Sequence, residues 1–194
     1  MRFLKKILTD AESEMVQNAE NPDKALWLLW SCKETAYKVI KKSHVDTAFL
    51  PRRWVVILKK TESVYSEGEV KIPETEAVYV RLFSDSYHIH CVGADCLATL
   101  DNLICKVEIL PEKGNKGNTD PSSFLRKCLA RNLADCFNIN LSDITINRLK
   151  EKKELQPPHV YINGTKSDID ISLSHDGQYV AYAFYPASSL SKPI

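Results

Sequence analysis

The chain has 194 residues, 44% of them hydrophobic and 26% charged, with a formal net charge of +1. That length and balance describe a folded globular protein with a sizeable core and exclude a disordered or fibrous chain. Charge is unevenly placed: residues 1–60 carry 12 Lys and Arg against 7 Asp and Glu, leaving −4 for the remainder. An excess of that size is too small for a nucleic-acid-binding face and suits a small polyphosphate or an acidic partner.

The six cysteines, Cys32, Cys91, Cys96, Cys105, Cys128 and Cys136, form no C-x-x-C pair and no zinc-site spacing, so they read as free buried thiols. Met1-Arg2-Phe3-Leu4-Lys5-Lys6 returns to charge before an apolar region develops, which argues against a signal peptide. The longest apolar runs, Ala25 to Trp30 and Tyr179 to Phe184, are too short to span a bilayer. A cytoplasmic protein without membrane or nucleic-acid partners is expected.

In chain order, Thr9-Asp10-Ala11-Glu12 announces a first helix through a capping box and should end it near Asn18. Asn21-Pro22-Asp23 starts a second with a cap, a proline at the first helical position and an acid at the positive end, running to about Lys42. Ala25, Leu29, Cys32, Ala36, Val39 and Ile40 recur at helical spacing and should face the core, while Trp30, Glu34, Lys38 and Lys41 follow a separate stripe. From Arg53 to Leu110 the texture is β-rich, with strands read at Trp54 to Leu58, Ala77 to Phe83 and Tyr87 to Val92 and a tight connection at Ser84-Asp85. Alternation leaves His88 and His90 on one face; without a third ligand they read as lining a solvated sheet surface rather than holding a metal.

Pro111 to Asn118 is linker-like, rich in residues that turn the backbone. After it, Asp120-Pro121 opens a third helix with Phe124, Leu125, Cys128, Leu129, Leu133, Cys136 and Phe137 at helical period. Strands follow at Ile144 to Leu149, His159 to Asn163, Ile169 to Leu173 and Tyr179 to Phe184, with turns at Asn163-Gly164 and Asp176-Gly177. The fold class is therefore α+β, with two halves that each pack helices on a small, mostly antiparallel sheet.

Two clusters carry chemistry. Glu34 and Lys38 stand i, i+4, so a helix puts them on one face, where a carboxylate beside an ammonium can hold a hard metal ion and a phosphate oxygen together. The bland alternative is an exposed helical ion pair contributing a few tenths of a kcal/mol. Downstream, Ser172-Leu173-Ser174-His175-Asp176 ends a strand; Ser174 and His175 can donate to phosphate oxygens, or the group can simply satisfy backbone atoms. Strand alternation turns Ser172 and Ser174 to one side and His175 to the other, although the turn at Asp176 can re-aim the imidazole. No G-x-S-x-G elbow is present, which weakens a serine-hydrolase reading.

Trp30-Ser31-Cys32-Lys33-Glu34-Thr35-Ala36-Tyr37-Lys38 resembles the W-x-x-K-E-x-x-x-K signature of the 4′-phosphopantetheinyl transferase superfamily, and Ile171-Ser172-Leu173-Ser174-His175 resembles its S-x-S-H strand. Their order is that of the holo-acyl-carrier-protein synthase group, and Arg2 to Glu12 resembles the R-F-L-x-x-I-L-T-x-x-E stretch that precedes the helix. Residues 125–185 resemble the segment in which a helix, a Lys-Pro-like turn and the Ser-His strand follow one another.

The resemblance implies a single domain over residues 1–194, with pseudo-repeat halves at about 1–111 and 118–194. It implies an Mg²⁺-dependent transferase, active in fatty acid biosynthesis, that moves 4′-phosphopantetheine from coenzyme A to a serine of an acyl or peptidyl carrier protein. By position, Glu34 would hold the metal and Lys38 the pyrophosphate. Ser174 and His175 would contact coenzyme A phosphates and Lys153, ahead of Pro157-Pro158, the 3′-phosphate. Glu34, Lys38 and His175 are the candidate catalytic residues. Lys33 would add a coenzyme A contact and, with Lys38, Lys41 and Lys42, a cationic surface for an acidic carrier. The Glu34 turn and the Ser174-His175 edge would then meet around one diphosphate in a cationic groove.

The family's G-x-D-I strand, whose aspartate is a second metal ligand, has no counterpart ahead of Arg2-Phe3-Leu4. Asp168-Ile169-Asp170-Ile171 directly precedes Ser172 and reads as part of the Ser-His strand, so that role is not transferred to Asp170. A non-catalytic coenzyme A or carrier-protein binder with an incomplete metal site is the alternative.

Overall fold

The computed structural model describes residues 4–59, 65–111, 120–151 and 154–186. It is an α+β arrangement of helices and antiparallel sheets in two compact units, Met1–Asn102 and Leu103–Ile194. Among the described residues no helix is long and apolar enough to cross a membrane.

The first unit opens with a short helix α1 (Leu4–Ile7) and with α2 (Asp10–Gln17). The capping box forms as read: Thr9 Oγ1 accepts from Glu12 N at 3.2 Å while Thr9 N donates to Glu12 Oε2 at 2.8 Å. Helix α3 (Pro22–Ser43) is capped by Asn21, whose Oδ1 accepts from Lys24 N at 2.9 Å. It lies on a four-stranded meander of β1 (Val55–Lys59), β2 (Tyr65–Lys71), β3 (Val78–Ser84) and β4 (Ile89–Ala94), paired in that order. Cys32, Ala36 and Ile40 from the helix pack against Val70, Val78, Val80 and Leu82 from the sheet. Close approach is secured at Gly93, where a Cβ would fall 2.9 Å from Thr35 Cγ2 and 3.0 Å from the Tyr79 carbonyl oxygen. An aromatic cluster flanks the same helix: Phe49 stands 5.6 Å from Trp30, 4.9 Å from Tyr37 and 5.3 Å from Trp54 between ring centroids.

Strand β2 has no clear sequence signal. Its run Ser66-Glu67-Gly68-Glu69 is poor in β-formers, yet Glu67 stands opposite Arg81, which donates to Glu67 Oε1 from Nε at 3.0 Å and from Nη2 at 2.6 Å. A Cβ on Gly68 would lie 2.4 Å from the Ile57 carbonyl oxygen, so the glycine lets β1 and β2 close up. A short helix α4 (Leu97–Asp101), also unread in the sequence, closes the unit and supplies Asp101 to the other side of Arg81 at 2.8 Å.

The second unit begins with β5 (Ile104–Ile109), which pairs with β10 (Tyr179–Tyr185) beside β9 (Asp170–Asp176). The unit boundary thus falls at Asn102/Leu103, ahead of the linker-like stretch, most of which lies outside the described residues. Helix α5 (Pro121–Phe137) starts at its Asp120 cap and sends Leu125, Leu129 and Leu133 into a core with Ile144, Ile146, Val160, Ile171, Val180 and Phe184. A second sheet holds β6 (Ile144–Glu151), β7 (Glu154–Ile162) and β8 (Thr165–Lys166). The Asn163-Gly164 turn joins the last two with both residues at positive φ, 51° and 76°.

Candidate functional site

Glu34 and Lys38 emerge on one face of α3 as their spacing requires, with Lys38 Nζ 3.5 Å from Glu34 Oε1 and side chains 46% and 39% exposed, respectively. A pair this open is screened by water and adds little stability, so its carboxylate and ammonium remain available to an ionic ligand. Helix α3 is held in place by the sheet beneath it, partly through Thr35 Oγ1, which donates to the Cys91 carbonyl oxygen at 3.2 Å.

Lys33 is a different case and corrects the sequence reading. Its side chain is 0% exposed, and its three ammonium protons meet three acceptors: Glu12 Oε2 at 2.5 Å, the Pro51 carbonyl oxygen at 2.8 Å and the Ile7 carbonyl oxygen at 2.9 Å. No donor is left for coenzyme A, and the cationic surface on this helix reduces to Lys38, Lys41 and Lys42. Burial pulls the Lys33 pKa below its ordinary value, opposed by the hydrogen bond and charge of Glu12. Glu12 is itself only 5% exposed and makes two further contacts, closing the capping box and accepting from Val56 N of β1 through Oε1 at 3.0 Å. The buried pair therefore ties α1, α2, α3 and the edge of β1 together directly behind Glu34.

The histidine pair is also corrected. His88 precedes β4 and its Nδ1 sits 3.1 Å from Asp85 Oδ2. Rather than facing solvent, His90 stacks on Phe83 with centroids 6.2 Å apart, and its Nε2 is buried without a hydrogen-bond partner among the described residues. Burial first, then His88 and Lys38, push the His90 pKa down to about 4, which keeps the ring neutral. Sequence reasoning did not connect His90 with Lys38, because only the packing of β4 on α3 brings them near.

Cys32 is the one fully buried thiol; Cys96 is exposed and the other four are half-buried, and none of the six forms a disulfide. The Cys32 pKa is raised by a hydrogen bond to Cys91 and by burial.

In the second unit, Ser174 and His175 lie next to each other on β9, opposite Ala181 and Val180 of β10. The strand continues through Asp176, so alternation holds: His175 follows the face of Ile171 and Leu173, and Ser174 takes the other face with Ser172. Ser174 is half-buried and His175 exposed, and the turn at Gly177 does not bring the two onto one side. Lys153 lies outside the described residues.

Among the described residues no three His, Cys, Asp or Glu side chains gather as a metal cluster. Glu34 offers one carboxylate, a donor set that fits Mg²⁺, an ion commonly held by one or two carboxylates together with substrate phosphates and waters.

No curated protein and no solved structure matches the chain. Residues 1–92, which carry the capping box, helix α3 and most of the sheet beneath it, match the family model ACPS, the 4′-phosphopantetheinyl transferase superfamily, and over that segment the chain is similar to that family.

Proposed function

We propose that the protein is a holo-acyl-carrier-protein synthase type transferase, which moves 4′-phosphopantetheine from coenzyme A to a serine hydroxyl of an acyl or peptidyl carrier protein. The observation that carries this reading is the exposed Glu34–Lys38 pair, presented on a helix whose neighbouring Lys33 is locked into the scaffold. In the reaction the serine oxygen forms a bond to the β-phosphorus of coenzyme A as the bond to the bridging oxygen breaks, and adenosine 3′,5′-bisphosphate departs. Glu34 would hold Mg²⁺, which when bound neutralises charge on the diphosphate oxygens. Lys38 would bind the pyrophosphate as a point charge, and Ser174, His175 and Lys153 would bind the remaining phosphates. Positioning supplies much of the rest, because a loose transition state at phosphorus asks for little covalent chemistry from the protein.

The rival is a non-catalytic coenzyme A or carrier-protein binder. It is favoured by the single carboxylate at the site and by the opposed faces of Ser174 and His175. Incubation with coenzyme A, Mg²⁺ and an apo acyl carrier protein, followed by mass spectrometry of the carrier, separates the two. A carrier heavier by one phosphopantetheine establishes the transferase; binding with an unchanged carrier mass establishes the rival.

A further inference from the structure

We propose that the outer edge of β6 is a docking site for an acidic peptide in extended conformation, added to the β6-β7-β8 sheet as a further strand. This does not rest on the transferase reading, because none of the residues involved is one to which that reading gives a role.

Strand β6 ends its sheet, pairing only with β7 among the described residues. Its register shows which backbone groups point away from β7. Asn163 N donates to the Asp143 carbonyl oxygen at 2.9 Å, and Pro158, opposite Arg148, has no N–H. Antiparallel alternation therefore turns the backbone groups of Thr145 and Asn147 toward β7 and those of Ile144, Ile146 and Arg148 outward. The Ile144 amide is taken by the Leu141 carbonyl oxygen, so Ile146, with both N–H and C=O outward, is the centre of the open edge.

A groove of about 290 Å³ runs beside it, between residues 144–146 and one stripe of α5 formed by Ser123, Arg126, Lys127 and Ala130. Ile144 and Ile146 are buried and Thr145 is exposed, so a groove touching all three must follow the strand's edge rather than either face. That volume sits at or below the low end for small-molecule pockets and suits one or two side chains. Its lining carries two cations and no acid, and Arg148, exposed at the next outward position, extends the positive charge along the edge. Outward backbone groups, unpaired in the sheet among the described residues, supply affinity for an added strand, and the flanking cations select carboxylates at alternate positions. An exposed edge of this kind pairs with another chain unless it is guarded; the cations that guard it here specify the charge of what it accepts.

The probe is a fluorescein-labelled peptide, acetyl-Thr-Glu-Val-Glu-Val-Glu-Thr-amide, titrated against the full chain by fluorescence anisotropy. Hydrogen exchange of the Ile146 amide is followed with and without saturating peptide. Strand addition predicts that exchange at Ile146 slows at least tenfold on binding. Methylating every backbone nitrogen of the peptide, which keeps its carboxylates and removes its donors, should weaken binding at least tenfold. Lys127→Glu, an exposed substitution, should do the same. Equal binding of the methylated peptide, unchanged exchange at Ile146, or absence of binding alongside self-association of the chain would each overturn the proposal.

Discussion

Replacing Lys33 with methionine tests whether this residue is scaffold or ligand contact. The ammonium is fully buried and satisfies Glu12 and two main-chain carbonyls. Lys33→Met fills similar space but takes the lysine donor from the Ile7 carbonyl oxygen, leaves the Pro51 carbonyl oxygen with Trp54 N at 3.2 Å, and leaves Glu12 as a carboxylate facing only amide donors. Breaking a buried pair by removing one partner costs about 3–5 kcal/mol, roughly a fifth or more of the stability of an ordinary domain. For a chain of this size that corresponds to a drop of about 10 °C in Tm. Urea unfolding followed by circular dichroism measures the loss. The double variant Glu12→Leu/Lys33→Met should lose about 1–3 kcal/mol less than the two single losses added together, because each single variant strands the other's partner. Coenzyme A affinity of the folded Lys33→Met protein should match that of the parent. Unchanged stability with lost coenzyme A binding would refute the scaffold role and return Lys33 to the ligand.

Glu34→Gln should remove carrier modification while shifting stability by no more than about 0.5 kcal/mol, since its partner is an exposed i, i+4 lysine; parallel mass spectrometry and urea unfolding check both halves. Gly93→Ala should cost about 1–3 kcal/mol in the same unfolding assay, because the added methyl pushes against Thr35 and the Tyr79 carbonyl and lifts α3 from β4. His90, with its pKa lowered to about 4, is held neutral in the fold and takes up a proton more readily when unfolded. Its contribution is present above the ordinary histidine pKa and is lost as pH falls toward 4, on the order of 2 kcal/mol by pH 5. Comparing urea midpoints at pH 7 and pH 5, His90→Leu should show the smaller pH-dependent loss.

Where local chemistry decides the structure, the sequence was legible. The caps at Thr9, Asn21 and Asp120 begin their helices at the positions their side chains dictate, because each satisfies an amide that its helix cannot. The Asn163-Gly164 turn follows for the same reason, needing two residues that tolerate positive φ. Strand β2 was not legible, since its stability comes from Arg81 across the sheet and from the space at Gly68, neither of which is local. Nor was the side of the boundary on which β5 falls, because its partner β10 lies about seventy residues downstream.

The misreading of Lys33 had a local remedy. It stands four residues after Leu29 and three before Ala36, inside the buried stripe, so a helical reading places its charge in the core. A lysine there demands an acidic partner in the same interior. Glu12, already fixed as the third residue of a capping box, is an acid whose position the sequence had specified. The adjacent pair Lys33-Glu34 then divides its work by the hundred-degree step of the helix. Lys33 turns inward to fasten the helix to α1, α2 and β1, and Glu34 turns outward to where an ion can reach it. Fastened by the inner residue, α3 presents the outer carboxylate to solvent, while the charge of Lys33 is spent inside the scaffold and stays out of the site.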